Sequence, residues 1–398
     1  MLPRPCLSFT LPSIYDDTKL DCRLYHPLCL RDPSHSETPW SGHAAVVAHP
    51  YAPLGGCFDD PIVDLAAGTL LQLGFLVATF NFRGAASSEG RTSWTSKPEQ
   101  ADYTSVVGFL AYYVYYLGHS QTGTRQSPPT MLLAGYSYGA MITTRLPPLD
   151  TMLAFFTTPS IHTAEADIRL RAQHLAEAHN VEMTGPASPR KSRGIRVGGD
   201  EDSSRRSHDG NPTPEFQREE RIRESVRHLL SRAKLVNRRS PHWSPSESEP
   251  GNNNNNKTDH CLERVEGEVA FQSAYLAVSP PVGLVTRLAT LSFSNPLPTS
   301  WIRRPGRPAA TAAARDESAG EHAVLSKNPT LVIYGNQDGF IGHKKMREWI
   351  SQLEAVDASK FRHVEVPGAG HFWMDSETVY QLRDAIGMFA TEITRVDG

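Results

Sequence analysis

Short apolar runs that alternate with amphipathic stretches constrain the fold of this chain more than any other feature. Residues 43–50 (HAAVVAHP), 75–82 (FLVATFNF) and 130–137 (TMLLAGYS) are nearly continuous apolar segments of β-strand composition. Strands that are covered by helices on both faces have this pattern. Residues 60–74 and 98–118 lie between them, have helical periodicity, and each end at a glycine. The alternation predicts an α/β protein with a mostly parallel central sheet and helices on both faces.

Five further segments complete the predicted sheet. The segments 6–11 (CLSFTL) and 19–27 (KLDCRLYHP) alternate in polarity around an Asp-rich turn, which predicts an antiparallel pair at the start of the chain. Residues 270–281, 329–339 and 361–374 each contain one later strand, and amphipathic helices follow the last two.

Two changes of composition divide the chain into parts. We expect residues 1–180 and 268–398 to form one folded α/β core, separated by a disordered insertion at 183–266 that is rich in Pro, Ser, Gly, Asn and mixed charge. Residues 303–321 have a similar composition and are predicted to be a flexible loop. The amphipathic pattern at 163–179 predicts a helix, either a lid over a pocket or a peripheral helix that anchors the insertion.

Composition and charge exclude several functional classes. A formal net charge of −3 provides no basic surface for nucleic acid. No run reaches the roughly 18 apolar residues of a membrane span, and the N-terminus lacks the apolar core of a secretory signal. The five cysteines form no CxxC pair, and no HExxH, Walker or dinucleotide motif occurs. We therefore expect a cytoplasmic protein with no metal and no cofactor.

The sequence Gly135-Tyr136-Ser137-Tyr138-Gly139 lies where a predicted strand meets a predicted helix. A serine in this setting is held in a strained conformation, so its neighbours two residues away must lack side chains. The helix that follows offers unpaired N–H groups to an oxyanion. The pattern predicts a nucleophilic serine.

A nucleophilic serine needs a base, and the base needs an acid that orients it. Asp338 follows the strand of YGNQDGF, and His371 follows the last strand, in PGAGHFW. The carboxyl ends of parallel strands share one edge of a sheet, so both side chains are expected to meet Ser137 there. The order Ser, Asp, His also matches one of the known triad arrangements.

These motifs resemble those of the α/β-hydrolase superfamily, and within it the small serine hydrolases related to dienelactone hydrolases and X-Pro dipeptidyl peptidases. The resemblance is carried by HPYAPLGG at 49–56, FNFRGAASSEG at 80–90, GYSYGA at 135–140, YGNQDGF at 334–340 and PGAGHFW at 367–373. It covers about residues 5–180 and 268–394. Dienelactone hydrolases have cysteine at the position of the nucleophile, where this chain has Ser137.

The resemblance implies a role for each matching position. Ser137 corresponds to the nucleophile, His371 to the general base and later acid, and Asp338 to the group that fixes the imidazole. The backbone N–H groups of Tyr138 and Tyr51 correspond to the two donors of the oxyanion hole.

Several neighbouring side chains have more than one interpretation. Four aromatic residues are predicted either to wall a substrate pocket or simply to pack beside the turns: Tyr136, Trp94, Phe372 and Trp373. His49 is expected to hydrogen-bond the loop that it begins.

The charged residues that follow the fourth strand are predicted to have structural roles. Arg83 is expected to pair with Glu89 and fix the loop between them. Glu99 and Asp102, at the start of the next helix, are expected to cap it.

Together these observations predict a cofactor-independent serine hydrolase that cleaves a small-molecule carboxylic ester or thioester through an acyl-enzyme on Ser137. Three alternatives use the same sequence features: an acyltransferase with the same triad, an X-Pro-type peptidase, and a non-catalytic scaffold with a hydrolase fold. The sequence leaves the substrate and the oligomeric state open.

Overall fold

The computed structural model describes residues 1–31, 39–118, 127–184, 261–282 and 322–395. Within them eight strands form one sheet in the order β1-β2-β4-β3-β5-β6-β7-β8. The strands are β1 Leu7–Pro12, β2 Lys19–Tyr25, β3 Ala44–Ala48, β4 Leu76–Phe80, β5 Thr130–Tyr136, β6 Gln272–Val278, β7 Thr330–Gly335 and β8 Phe361–Val366. β2 runs antiparallel to β1 and β4, and every other pairing is parallel. The prediction of a mostly parallel sheet with an antiparallel pair at its start is confirmed.

Helices connect the parallel strands. They are α1 Leu28–Arg31, α2 Pro61–Gln72, α3 Lys97–Gly118, α4 Tyr138–Thr143, α5 Leu149–Ala154, α6 Ala164–Thr184, α7 His343–Glu354 and α8 Ser376–Ile393. The Asp60 carboxylate accepts hydrogen bonds from the N–H groups of Ile62 and Val63, as expected for the residue that caps α2. A short 3₁₀ turn, Ala52–Leu54, follows β3.

Side chains of each central strand alternate between two hydrophobic cores. In β5, Met131 and Leu133 belong to the core that includes α3 and α6, whereas Leu132 and Ala134 belong to the core that includes α2 and α8. All seven residues of β5 are buried. Burial on both faces explains why these strands read as continuous apolar runs, and it confirms helices on both sides of the sheet.

The helix predicted at 163–179 extends over Ala164–Thr184 and lies against α3. It also reaches the first strand, because the Arg171 guanidinium donates a hydrogen bond of 3.0 Å to the Thr10 carbonyl.

The predicted insertion ends earlier than its composition indicated. Residues 261–266 are described and dock on the core: the Leu262 N–H donates to the Pro159 carbonyl at 2.8 Å, and the Leu262 side chain is buried. The Arg169 guanidinium also donates to the Glu263 carbonyl. The rest of the predicted insertion, from residue 185 to 260, and the predicted flexible loop 303–321 lie outside the described residues.

The order of the strands fixes where a site can form. β3 lies between β4 and β5, so the connections after β3 and β5 leave the sheet in opposite directions. A crevice therefore opens between the carboxyl ends of these two strands, and this position is where ligands bind in open α/β sheets. The turns after β7 and β8 end at the same edge.

Candidate active site

The turn from β5 to α4 has the geometry of a nucleophile elbow. Ser137 has φ 53° and ψ −115°, a strained conformation for a residue with a side chain. A Cβ added to Gly135 would lie 2.4 Å from the carbonyl carbon of Gly139, and one added to Gly139 would lie 2.6 Å from the Ala48 carbonyl oxygen. Both positions therefore require glycine, for the steric reason that the sequence indicated.

Three side chains from distant segments form a hydrogen-bonded chain at this turn. The Ser137 Oγ lies 2.8 Å from the His371 Nε2, and the His371 Nδ1 lies 2.7 Å from the Asp338 Oδ2. Asp338 is fully buried, while Ser137 and His371 are each 7% exposed. The Asp338 Oδ1 accepts a hydrogen bond of 2.9 Å from the Phe340 N–H, which holds the carboxylate in place.

This arrangement defines the tautomer of the imidazole. The Nδ1–H donates to the Asp338 carboxylate, so the Nε2 lone pair faces the Ser137 hydroxyl and accepts its proton. The strand-to-helix turn, the sheet order and the meeting of Ser, Asp and His at one edge decide the fold. The chain has the α/β-hydrolase fold.

Comparison with known proteins gives similarities in sequence and in structure. No family model matches the chain. The curated protein Esterase LipC of Mycobacterium tuberculosis is 31% identical over 83 residues, which are 20% of this chain and 21% of that protein. The chain thus matches about a fifth of the length of this relative.

Several solved structures align along nearly the whole chain. An α/β serine hydrolase without a lid from Xanthomonas campestris has a TM-score of 0.45 and 16% identity, covering 100% of this chain and 99% of its own. A serine hydrolase homologue from Coxiella burnetii has a TM-score of 0.42 and 14% identity, with coverages of 98% and 99%. Est1E from Butyrivibrio proteoclasticus, with ferulic acid bound, has a TM-score of 0.43 and 11% identity, with coverages of 96% and 98%.

The two expected oxyanion donors belong to the turn after β5 and to the loop after β3. Tyr138 is the first residue of α4, where a helix leaves backbone N–H groups unpaired. Tyr51 begins the 3₁₀ turn after β3, and its ring lies 5.2 Å from that of Tyr138. A Cβ added to Gly56 would lie 2.3 Å from the Pro50 carbonyl oxygen, so the tight loop around Tyr51 requires that glycine. The assignment of both N–H groups to an oxyanion stays a prediction.

His49 fixes the same loop, as expected. Its Nδ1–H donates to the Pro50 carbonyl at 2.6 Å, and its Nε2 accepts from the Phe82 N–H at 2.8 Å. The bond that Nε2 accepts needs the neutral ring, and burial lowers the pKa of His49 to about 4, against the bond to the Pro50 carbonyl. His49 is therefore a positioning residue for the loop after β3.

The four predicted pocket aromatics separate into different environments. The Tyr136 hydroxyl donates to the His371 carbonyl at 2.8 Å, and the Phe372 ring lies 5.4 Å from the imidazole. Trp373 is instead 2% exposed, belongs to the core beneath α8, and donates from its indole N–H to the Ser279 hydroxyl. Of its two interpretations, packing describes Trp373, because its side chain lies in the core.

Trp94 and Phe340 have different surroundings. Trp94 is 67% exposed on the loop before α3. Phe340, which the sequence analysis did not select, lies with its ring 4.6 Å from the His371 ring. Phe340 could have been selected from the sequence, because it lies two residues after Asp338. The turn that brings Asp338 to His371 also brings the adjacent residues close to that ring.

The predicted pair between Arg83 and Glu89 is wrong. The Arg83 guanidinium binds Asp102 at 2.7 and 2.9 Å and Asp16 at 2.9 Å, whereas Glu89 accepts from Lys19 at 2.8 Å. The expected structural role of Arg83 is kept, with different partners.

The predicted caps of α3 are wrong as well. Asp102 binds Arg83, and both carboxylate oxygens of Glu99 accept hydrogen bonds from Ser93, one from its N–H and one from its hydroxyl. Glu99 therefore holds the preceding loop instead of the helix end.

The described ranges also contain no group of three or more His, Cys, Asp or Glu side chains placed to hold a metal ion. None of the described helices is long and apolar enough to cross a membrane.

Proposed function

We propose that this chain is a cofactor-independent serine hydrolase that cleaves a carboxylic ester or thioester through an acyl-enzyme on Ser137. One observation carries the proposal: the Ser137 Oγ, the His371 ring and the Asp338 carboxylate form an unbroken chain with contacts of 2.8 and 2.7 Å. Such a chain activates a hydroxyl that is otherwise a weak nucleophile.

In the first half of the reaction the Ser137 Oγ attacks the substrate carbonyl carbon while its proton passes to the His371 Nε2. The Asp338 carboxylate, bonded to the Nδ1–H, stabilises the imidazolium that forms. The oxyanion faces the N–H groups of Tyr138 and Tyr51. The Nε2 proton then passes to the departing alcohol or thiol as its bond to the carbonyl carbon breaks.

In the second half water takes the place of the leaving group. The His371 Nε2 removes a proton from the water as its oxygen attacks the acyl-enzyme, and returns that proton to the Ser137 Oγ when the acid leaves. An alcohol or amine in the place of water would give acyl transfer by the same steps. Comparing the products formed with and without competing nucleophiles separates the two activities.

The direct test is Ser137→Ala. We expect hydrolysis of short p-nitrophenyl esters to fall by about 10⁴-fold or more, since loss of a triad serine removes the nucleophile. The matched control is Ser87→Ala, at an exposed serine away from the elbow. Steady-state hydrolysis, with circular dichroism to verify folding, checks the outcome. Activity that Ser137→Ala retains in full contradicts the proposal.

A fluorophosphonate probe separates the enzyme from the scaffold alternative. An assembled triad labels Ser137, and the label is absent from Ser137→Ala. Folded protein that takes up no label supports the scaffold. Assay of an X-Pro amide beside the corresponding ester tests the peptidase alternative.

A further inference from the structure

The turn that carries His371 is exposed on one side and anchored on the other. We define the base turn as residues 367–373, which follow β8. Phe372 is 61% exposed and Met374 is 90% exposed, whereas Trp373 between them is 2% exposed. Trp373 is therefore the side chain that this end of the base turn inserts into the core beneath α8.

The backbone at Trp373 has a conformation that is unusual for a bulky residue. Its φ is 51°, in the left-handed region that residues with large side chains rarely adopt. The Trp373 N–H closes the turn by donating to the Gly370 carbonyl at 3.2 Å. Such a conformation persists only where the surrounding structure imposes it. The contacts of the Trp373 side chain therefore determine the path of the backbone two residues after His371.

Ser279 provides the polar contact of that side chain. The Trp373 indole N–H donates to the Ser279 Oγ at 3.2 Å, and Ser279 is fully buried. Ser279 also has a left-handed φ, 48°, and its own N–H donates to the Ile333 carbonyl of β7 at 2.8 Å. One buried hydrogen bond thus joins two residues that both have a rare backbone conformation.

The end of β6 holds the nucleophile as well as the base turn. The Ser137 N–H donates a hydrogen bond of 2.8 Å to the carbonyl of Val278, the last residue of β6. Ser279 is the next residue, so two consecutive residues hold the backbone of Ser137 and the side chain of Trp373. The contact of 2.8 Å between the Ser137 Oγ and the His371 Nε2 depends on the positions of both turns. The end of β6 therefore connects the nucleophile to its base.

We propose that Ser279 and Trp373 are positioning residues for the proposed reaction. Their hydrogen bond holds the base turn so that the His371 Nε2 stays within reach of the Ser137 Oγ. A second hydrogen bond, from the Tyr136 hydroxyl to the His371 carbonyl at 2.8 Å, supports the same turn and is kept in the variants below. This inference rests on the proposed function of Ser137.

The test compares Ser279→Ala, Trp373→Phe and the double variant in the hydrolysis of short p-nitrophenyl esters. Each single variant removes one partner of the bond, so kcat should fall about tenfold, within the roughly 100-fold that a displacement of 1 Å can cost. KM should change little, because the bond acts on the base. The double variant should have the kcat of the single variants, since all three lack the same bond.

The measurement separates positioning from a purely structural role. We express kcat per Ser137 that a fluorophosphonate probe labels at completion, so that an unfolded fraction does not contribute. Each single variant leaves one buried polar group without this hydrogen bond, which should also lower the temperature of unfolding. A purely structural role would lower that temperature and leave kcat per labelled site unchanged.

Trp40 provides the matched control. Its indole N–H donates to the Gly74 carbonyl at 3.1 Å, and the residue is 4% exposed, so Trp40→Phe removes a comparable bond. Gly74 precedes the amino end of β4, at the edge of the sheet opposite to the triad. Trp40→Phe should lower the temperature of unfolding and leave kcat per labelled site unchanged.

Three outcomes overturn the inference. They are an unchanged kcat per labelled site in Ser279→Ala, a double variant in which the two single effects multiply, and an equal fall of kcat in Trp40→Phe and Trp373→Phe. Ser279→Ala alone decides the first if Trp373→Phe does not fold.

Failure of this inference is distinct from failure of the proposed function. Hydrolysis that depends on Ser137 would continue in the unmodified protein in all three cases. Its absence from the unmodified protein would overturn the proposed function, and this inference with it.

Discussion

The catalytic triad and the cluster around Arg83 are two polar assemblies that differ in how their hydrogen bonds end. We define the Arg83 cluster as Arg83, Asp102, Asp16 and Ser13. Each of the three guanidinium nitrogens of Arg83 has an acceptor within this cluster. The triad instead ends at the Ser137 hydroxyl, whose acceptor is a base able to take its proton. A closed network stabilises the fold, whereas a network that ends at a reactive hydroxyl performs chemistry.

Position on the sheet does not separate the two assemblies. Arg83 follows β4 and Asp338 follows β7, so both lie beyond the carboxyl end of a parallel strand. Both also have carboxylates that are fully buried, Asp102 and Asp338. The difference lies in the partner: Asp102 faces a permanent cation, and Asp338 faces an imidazole whose charge changes during catalysis.

Among the substitutions that test this difference, Asp338→Asn should have the largest effect. An amide at this position no longer holds the Nδ1–H tautomer, so kcat should fall by about 10⁴-fold. Folding should be retained, since the remaining contacts of the turn are unchanged. Steady-state kinetics and thermal unfolding check both statements. A fall of less than tenfold would show that Asp338 does not orient His371.

The Arg83 cluster should respond in the opposite way. Arg83→Met leaves the Asp102 carboxylate buried and unpaired, so the free energy of unfolding should fall by about 3–5 kcal/mol. Fluorophosphonate labelling of the folded fraction should persist. Denaturant unfolding measures the loss, and Lys19→Ala is the control because its exposed pair with Glu89 contributes about 1 kcal/mol or less. Equal losses in the two variants would contradict the partner assignment.

A lower pH should test a further polar contact, between buried His26 and half-buried His179. The rings lie 4.5 Å apart, and the His26 Nε2 is 3.0 Å from the Tyr113 hydroxyl. Burial, then the charges of His179 and Arg31, lower the pKa of His26 to about 3. Burial lowers the pKa of His179 also, against the charge of Glu182.

Both shifts favour the neutral rings in the folded protein. The stability that they contribute is present above the unfolded pKa of about 6.5 and is lost as the pH falls toward 3. His26 should add a slope of about 1.4 kcal/mol per pH unit in that interval. Denaturant unfolding between pH 7 and pH 5 measures the slope, and His26→Gln should flatten it. Identical slopes in the two proteins would show that His26 does not titrate on unfolding.

Much of the site could be predicted because local sterics and the direction of the strands determine it. The glycines around Ser137 are required by contacts of 2.4 and 2.6 Å within the turn and with β3. Asp338 and His371 follow parallel strands, and parallel strands end at one edge. The predictions of the strands, the capped helix α2 and the meeting of the triad depended on these rules alone.

The outcomes that the sequence did not predict concern side chains that choose among several neighbours. Arg83 had Glu89 six residues away in sequence, but it binds Asp102 and Asp16 because the β1–β2 turn and α3 come close to the loop after β4. Trp373 has φ 51° and turns away from the triad, although it lies only two residues after His371. Neither outcome follows from spacing.

By itself the sequence determined the order of strands and helices, the elbow at Ser137 and the edge at which the triad meets, because each follows from periodicity, backbone sterics or strand direction. Only the tertiary structure decided the partners of Arg83 and the contact of Phe340 with His371. Those features depend on which distant segments come into contact, and that is determined by the packing of the whole sheet with its helices.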